Sequence, residues 1–225
     1  RRKDGSLFCE WLNMSRVPMA EGQPQRFVGV MVDVTERRRR DEHLRHQALH
    51  DPLTGLANRA QLITRLEEAL ERARGAREHG RVGLLFIDLD RFKPINDELG
   101  HDVGDAVLRE QASRLQAVTR PGDLAARFGG DEFVLLLVQL DDILTAERVA
   151  ARVLTSMAQP MYIGAHVLQV GASIGIAGGP GGATDASGLM KQADEAMYIA
   201  KTAGRQRWHR RGAEAQTADD PPVSI

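Results

Sequence analysis

The chain has 225 residues, with 30 basic against 31 acidic side chains, 42% hydrophobic residues and a single cysteine. That apolar content excludes wholesale disorder, the net charge of −1 gives no basis for a general nucleic-acid binder, and a lone Cys9 excludes internal disulfides and zinc sites built on several cysteines. No apolar run approaches the roughly 18 residues of a membrane span and no signal-peptide pattern is present, so the expected location is cytoplasmic; the start at Arg1 suggests a piece of a longer protein, whose membrane attachment stays open.

Charge divides the chain near residue 50: residues 1–50 carry 10 basic and 7 acidic groups, residues 51–225 carry 20 and 24. The first part holds two β-rich runs, Ser6–Met19 and Arg26–Val34, separated by a Glu21-Gly22-Gln23-Pro24 turn. Two or three strands do not make a stable domain alone, so this part reads as the end of a larger unit. Thr35, Glu36, four arginines (Arg37–Arg40), Asp41 and Glu42, with Leu44 and Ala48 at helical spacing, predict a linker helix over residues 36–49. An arginine run can meet nucleic acid or lipid, but a solvated helix face is the simpler reading.

Further on, strands and helices alternate. Leu62, Leu66 and Leu70 mark an amphipathic helix ending near Gly80. Val82–Asp88 is a short apolar run suited to a buried central strand. A helix follows over Gly104–Val118. Leu124–Phe128 and Glu132–Val138 flank a glycine pair as a hairpin, and a helix fits Asp142–Met157. Then come a second hairpin over Met161–Ile176, a helix over Ala186–Gly204, and a polar flexible tail from Ala213 to Ile225. The order predicts an α/β layered domain with a mixed central sheet surrounded by helices.

Acids gather where the strands end. Asp88 and Asp90 close the central strand, and Asp131 and Glu132 occupy the hairpin tip. If the hairpin pairs beside the central strand, three or four carboxylates converge, and their mutual repulsion calls for a cation. Oxygen ligands favour Mg²⁺ or Mn²⁺, and such a cluster suits phosphoryl transfer. The plainer alternative is a set of solvated turn and cap residues. Gly129-Gly130 presents bare backbone that a ligand can approach, although a ligand-free Gly-Gly turn is just as common. Lys201 and Arg205, four apart, can share a helix face as a phosphate clamp or as an ordinary exposed basic surface.

These residues carry a family resemblance. RFGGDEF (Arg127–Phe133) resembles the signature hairpin of GGDEF-domain diguanylate cyclases. HDPLTGLANR (His50–Arg59), FIDLDRFKPIND (Phe86–Asp97), GHDVGD (Gly100–Asp105), ASIGIA (Ala172–Ala177) and ADEAMYIAKTAGRQR (Ala193–Arg207) resemble the other family motifs, in family order. The resemblance implies a nucleotidyl-cyclase-like fold over residues 50–210 and condensation of two GTP into cyclic di-GMP by a homodimer. It implies that Asp88, Asp131, Glu132 and the carbonyl of Leu89 hold the metal ions, with Asp131 and Glu132 in catalysis. It places Asn96 and Asp105 on guanine, backbone amides around Arg91 and Phe92 on phosphates, and Lys201 and Arg205 on phosphates as well. Arg120 and Asp123, an RxxD pattern, match an inhibitory product site. Gln206 stands where asparagine is more usual, with little effect expected.

The alternative is a binding-only module that senses GTP or cyclic di-GMP, disfavoured because no catalytic or metal position is missing. RRKDGSLFCEW and FVGVMVDVTERRR resemble the last strands of a PAS sensory domain running into its output helix. The expected organisation is a PAS fragment over 1–35, a linker helix over 36–49, the cyclase domain over 50–210 and a tail over 211–225.

Overall fold

The computed structural model describes residues 1, 3, 5–18, 25–75, 81–179, 185–211 and 216–217, the side chains of Glu42, Arg45, Gly75, Gly179 and residues 216–217 aside. The chain forms two units, Arg1–Ala48 and Leu49–Ile225. No described helix is long and apolar enough to cross a membrane.

In the first unit, β1 (Glu10–Val17) and β2 (Arg26–Asp33) pair antiparallel from Glu10↔Asp33 to Val17↔Arg26. The expected turn at residues 21–24 lies outside the described residues. Successive residues of a strand point to opposite faces, and here both faces are apolar and exposed: Trp11, Val30 and Val32 on one, Leu12, Met14 and Met31 on the other. Helix α1 (Thr35–Leu49) follows. Thr35 fixes its start, its N–H donating to Asp33 Oδ1 and its Oγ1 accepting from the Cys9 N–H, both at 2.9 Å. Along α1, Arg40 pairs with Glu36 at 3.1 Å on an exposed face, as expected of a solvated helix.

The second unit is built on a six-stranded sheet. Its strands are β3 (Arg81–Leu89), β4 (Leu124–Gly129), β5 (Glu132–Leu140), β8 (Ala172–Gly179), β9 (Arg207–Arg210) and β10 (Gln216–Thr217), ordered β10-β9-β8-β3-β5-β4. Only β8–β9 is parallel, so the sheet is mixed. Helices α2 (Arg59–Gly75), α4 (His101–Val118), α5 (Leu144–Met157) and α6 (Ala186–Thr202) cover both faces. Leu85, Ile87 and Leu89 of β3 join a core with Val107, Leu115 and Val153, whereas Val82, Leu84 and Phe86 join another with Leu62, Leu66 and Met197. Period-2 alternation with both faces covered explains why β3 reads as an unbroken apolar run.

Helix α6 rides directly on β8. A Cβ at Gly175 would stand 1.9 Å from the Ala193 carbonyl oxygen and 2.2 Å from the Met197 nitrogen, so only glycine permits this separation.

Several elements differ from the sequence expectation. An additional helix, α3 (Phe92–Leu99), lies between β3 and α4; Pro94 masks it in the sequence, yet proline is tolerated in a first helical turn. Helix α4 begins at His101, before the expected Gly104. The expected second hairpin is two separate pieces: β6 (Met161–Ile163) pairs with β7 (His166–Leu168) in a small sheet, while β8 belongs to the main one. Gly164, at φ 58°, closes the small hairpin, and the chain leaves it for the main sheet beyond Leu168. Helix α2 ends at Gly75, with residues 76–80 outside the described ones. In the expected tail, Gln216 and Thr217 pair with Trp208 and Arg207 of β9; the remainder from Ala213 to Ile225 lies outside the described residues.

Candidate active site

The sheet brings Asp88 and Glu132 together because β3 and β5 pair in register, Asp88 opposite Glu132. Opposed residues in antiparallel strands bring their Cβ atoms to about 5 Å. Asp131 sits in the turn before β5, held by the Leu89 N–H donating to its carbonyl at 3.2 Å. Lys201, the penultimate residue of α6, donates from Nζ to Asp88 Oδ2 at 2.7 Å.

The electrostatics record an excess of acid. Burial raises the Asp88 carboxyl above its ordinary value; Asp131 and Asp90 push the same way, while Lys201 opposes them. Burial also raises Glu132, followed by the charges of Asp88, Asp131 and Asp194, with Lys201 again opposing. Asp194, on α6, escapes sequence analysis; its spacing of seven residues, two helical turns, before Lys201 was the available signal. Among the described residues no group of three or more Asp, Glu, His or Cys side chains is placed to hold a metal ion. The donors nearby are nevertheless all oxygen and carry an excess of negative charge, chemistry that would fit a hard divalent cation.

Of the acids expected to converge, Asp90 does not join. Its carboxylate accepts from Ser173 Oγ at 2.7 Å and from the Gln206 N–H at 2.9 Å. Both oxygens are engaged away from the cluster, so the convergent set is Asp88, Asp131 and Glu132.

Beyond Asp90 the backbone takes a left-handed step at Arg91 (φ 57°, ψ 33°) and enters α3 at Phe92 with no side-chain cap. A left-handed residue followed by helical ones turns successive N–H groups toward one concavity, an arrangement that suits phosphate oxygens. Phe92 is buried and anchors this turn. Asn96, on α3, packs against α4: a Cβ at Gly104 would stand 1.9 Å from Asn96 Oδ1. Gly104 thereby seats the Asn96 amide beside the residue preceding Asp105, and both Asn96 and Asp105 are half-buried. Lys93 is exposed and Lys201 half-buried, and the Arg205 side chain, at φ 62°, is exposed with no hydrogen bond or ion pair among the described residues.

The hairpin is braced by a contact that motif reading does not reveal. Arg127 of RFGGDEF donates to both Asp51 oxygens at 3.2 Å and to the Gly130 carbonyl at 2.7 Å. Asp51 also accepts from the Thr54 N–H at 2.8 Å and hydroxyl at 2.7 Å. Against the upward push of burial, these Thr54 bonds and Arg127 hold the Asp51 carboxyl below its ordinary value. The first motif of the domain thus fixes the tip that carries Asp131.

Arg120 and Asp123 lie just before β4, at the opposite end of the β4–β5 pair from Glu132. Arg120 Nε donates to Asp123 Oδ2 at 3.0 Å and Nη2 to the Val138 carbonyl at 2.7 Å, while the Val138 N–H donates to Asp123 Oδ1 at 3.0 Å. The pair clamps the loop onto β5. Burial raises the Asp123 carboxyl, offset by the Val138 N–H and Arg120.

Comparison with known proteins places this geometry. The family profile "Diguanylate cyclase, GGDEF domain" matches residues 48–207. The bifunctional diguanylate cyclase/cyclic di-GMP phosphodiesterase MucR of Pseudomonas aeruginosa is 44% identical over 171 residues, 76% of this chain and 24% of MucR. The crystal structure of the GGDEF domain of TpbB from Pseudomonas aeruginosa is 42% identical with a TM-score of 0.67, over 70% of this chain and 97% of that one. The coiled coil and GGDEF domain of DgcB from Caulobacter crescentus, solved in complex with cyclic di-GMP, is 28% identical with a TM-score of 0.72, over 79% of this chain and 93% of that one. The chain spans 24%, 21% and 39% of the first three curated relatives it matches.

Proposed function

Because this chain belongs to the GGDEF-domain diguanylate cyclase family, we propose that it condenses two GTP molecules into cyclic di-GMP, releasing two pyrophosphates as each 3′-hydroxyl attacks the α-phosphate of the other GTP. The observation that carries this reading is the acid-rich end of β3 and β5, with Asp88 opposite Glu132 in register and Lys201 at 2.7 Å from Asp88. Asp88, Asp131, Glu132 and the Leu89 carbonyl would hold Mg²⁺ or Mn²⁺. When bound, the ion would acidify the 3′-hydroxyl and stabilise charge on the α-phosphate.

The chain's own groups divide the remaining work. Backbone N–H groups around Arg91 and Phe92 receive phosphate oxygens, and Lys201 and Arg205 neutralise them. Asn96 and Asp105 select guanine, since a carboxylate accepts from both N1–H and the exocyclic amine, a pair that adenine does not offer. Asp131, braced through Arg127, and Glu132 act at the reacting centre, where the Glu132 carboxyl, raised by burial, suits proton transfer.

One domain holds one GTP, so two copies face each other, and the linker over 36–49, following a PAS fragment over 1–35, is the route by which sensory input sets their alignment. Disrupting that linker should remove turnover and leave GTP binding intact; unchanged turnover would exclude this control. Product inhibition would operate at Arg120 and Asp123, where guanidinium and carboxylate match the Hoogsteen and Watson–Crick edges of guanine. Incubation with GTP and Mg²⁺, followed by chromatography for cyclic di-GMP and an assay for pyrophosphate, tests the reading. Formation of both by the wild type and neither by Glu132→Gln is expected; GTP binding without either product would make the chain a sensor module.

A further inference from the structure

Asp90 is only 8% exposed, and its hydrogen-bond partners are neutral: the Ser173 hydroxyl at 2.7 Å and the Gln206 N–H at 2.9 Å. Its own N–H donates to the Gly171 carbonyl at 2.9 Å. Burying a carboxylate is unfavourable unless its oxygens are fully engaged, and here that engagement ties the end of β3 to the chain leaving α6.

That chain is unusual. Gly204, Arg205 and Gln206 have φ of 118°, 62° and 49°, three consecutive residues in a region that side-chain-bearing residues rarely adopt. The Arg205 N–H donates to the Ala200 carbonyl at 3.1 Å, which closes the helix, and the next N–H, that of Gln206, goes to Asp90. Beneath the turn, a Cβ on Gly171 would stand 2.6 Å from Gln206 Cγ, so the Gln206 side chain lies flat over that glycine. The turn is therefore seated by Asp90 from one side and Gly171 from below, and Arg205 stands in the middle of it with a guanidinium that makes no hydrogen bond or ion pair among the described residues.

We infer that Asp90 is a positioning residue: it holds the left-handed Gly204–Gln206 turn so that Arg205 is presented to the substrate phosphates, without itself touching metal or nucleotide. Conformational restriction of this kind is what a strained turn next to a binding site requires, since a guanidinium already in place loses less entropy on binding. The inference rests on the reading of Arg205 as a phosphate contact.

The test uses 3′-deoxy-GTP, which lacks the attacking hydroxyl, with Mg²⁺, titrated calorimetrically into wild-type, Arg205→Ala, Asp90→Ala and doubly substituted protein. Arg205→Ala should weaken binding about tenfold, as loss of a charge-assisted contact does. Asp90→Ala should weaken it comparably, and the double variant should bind no worse than Arg205→Ala, because two residues acting through one contact are not additive. Asp90→Asn, which keeps an oxygen for Gln206 and a donor for Ser173, should stay within about twofold of wild type.

Losses that multiply in the double variant overturn the inference, as does an Asp90→Asn loss as large as that of Asp88→Asn, which would mark a role for the charge. An Arg205→Ala variant that binds like wild type overturns the phosphate reading instead, independently of Asp90. If Asp90→Ala does not fold, Ser173→Ala replaces it in the same cycle. A loss of about twofold that vanishes in the Arg205→Ala background is then expected, and a loss that persists there overturns the inference.

Discussion

Two places in the second unit carry a buried aspartate against a basic side chain, and they are in opposite states. Just before β4, Asp123 is 3% exposed and pairs with Arg120 at 3.0 Å, and the pair shares both the N–H and the carbonyl of Val138. At the end of β3, Asp88 is 11% exposed and pairs with Lys201 at 2.7 Å, but the charge of Asp131 bears on both Asp88 and Glu132, and Glu132 also senses Asp88. The first is a satisfied clamp of one acid, one base and a peptide group. In the second, among the described residues, Lys201 faces several anions, an imbalance that a bound cation would relieve. An acid–base contact alone does not distinguish structure from chemistry; the charge balance around it does.

The largest expected effect breaks the acid-rich site. Asp88→Asn should lower cyclic di-GMP synthesis by about a thousandfold or more, the loss of several kcal/mol of charge stabilisation at the α-phosphate. Because the substitution also relieves repulsion, its thermal midpoint should not fall. A parallel loss of midpoint and activity would show that Asp88 serves the fold, as Asp123 does.

Next in size, Asp123→Ala should destabilise the domain by about 1–3 kcal/mol, since the half-buried Val138 N–H loses its acceptor. Urea denaturation followed by circular dichroism measures this. A variant as stable as wild type would remove the distinction between clamp and cluster.

The third test is of pH and metal. Asp88 and Glu132 are held above their ordinary values of 3.8 and 4.5, chiefly by burial, so the folded protein binds their protons more tightly than the unfolded chain does. Their contribution to stability therefore declines as pH rises through and beyond those values, and Mg²⁺ should recover it. Asp51 acts in the opposite sense: lowered from 3.8, it contributes stability above that value and loses it as pH falls further. Midpoints recorded from pH 4 to 8 should rise more with Mg²⁺ at the upper end. Glu132→Gln should flatten that difference, and an equal Mg²⁺ effect at both ends would contradict the assignment.

The smallest effect is expected at the clamp's exposed half. Arg120→Ala should change initial turnover by less than about twofold, as surface substitutions away from a site do, while removing inhibition by added cyclic di-GMP. Persistent inhibition would leave Arg120 and Asp123 as a structural clamp only.

Much of this molecule is written in short-range patterns. The apolar run ending in Asp88 predicts a buried strand because both faces of β3 are covered, and the Gly129-Gly130 hairpin is legible from local turn chemistry. Helix α3 was hidden because Pro94 and a length of eight residues weaken its periodicity. β9 was hidden because four residues of mixed polarity carry no strand signal until β8 pairs with them. The roles of Asp51 and Asp90 depend on partners 76 and 116 residues away, Arg127 and Gln206, which no local pattern encodes.

By itself the sequence determined the layered α/β class, the family, and the acids and bases proposed to carry the chemistry, because motif spacing and alternation are properties of neighbouring residues. The tertiary structure decided which of those charges are available. Register set Asp88 opposite Glu132, the Gly175 contact brought α6 close enough for Lys201 to reach them, and hydrogen bonds engaged Asp90 and Asp123 elsewhere. Availability is a balance of charge and burial summed over strands distant in sequence, and it exists only once the sheet has closed.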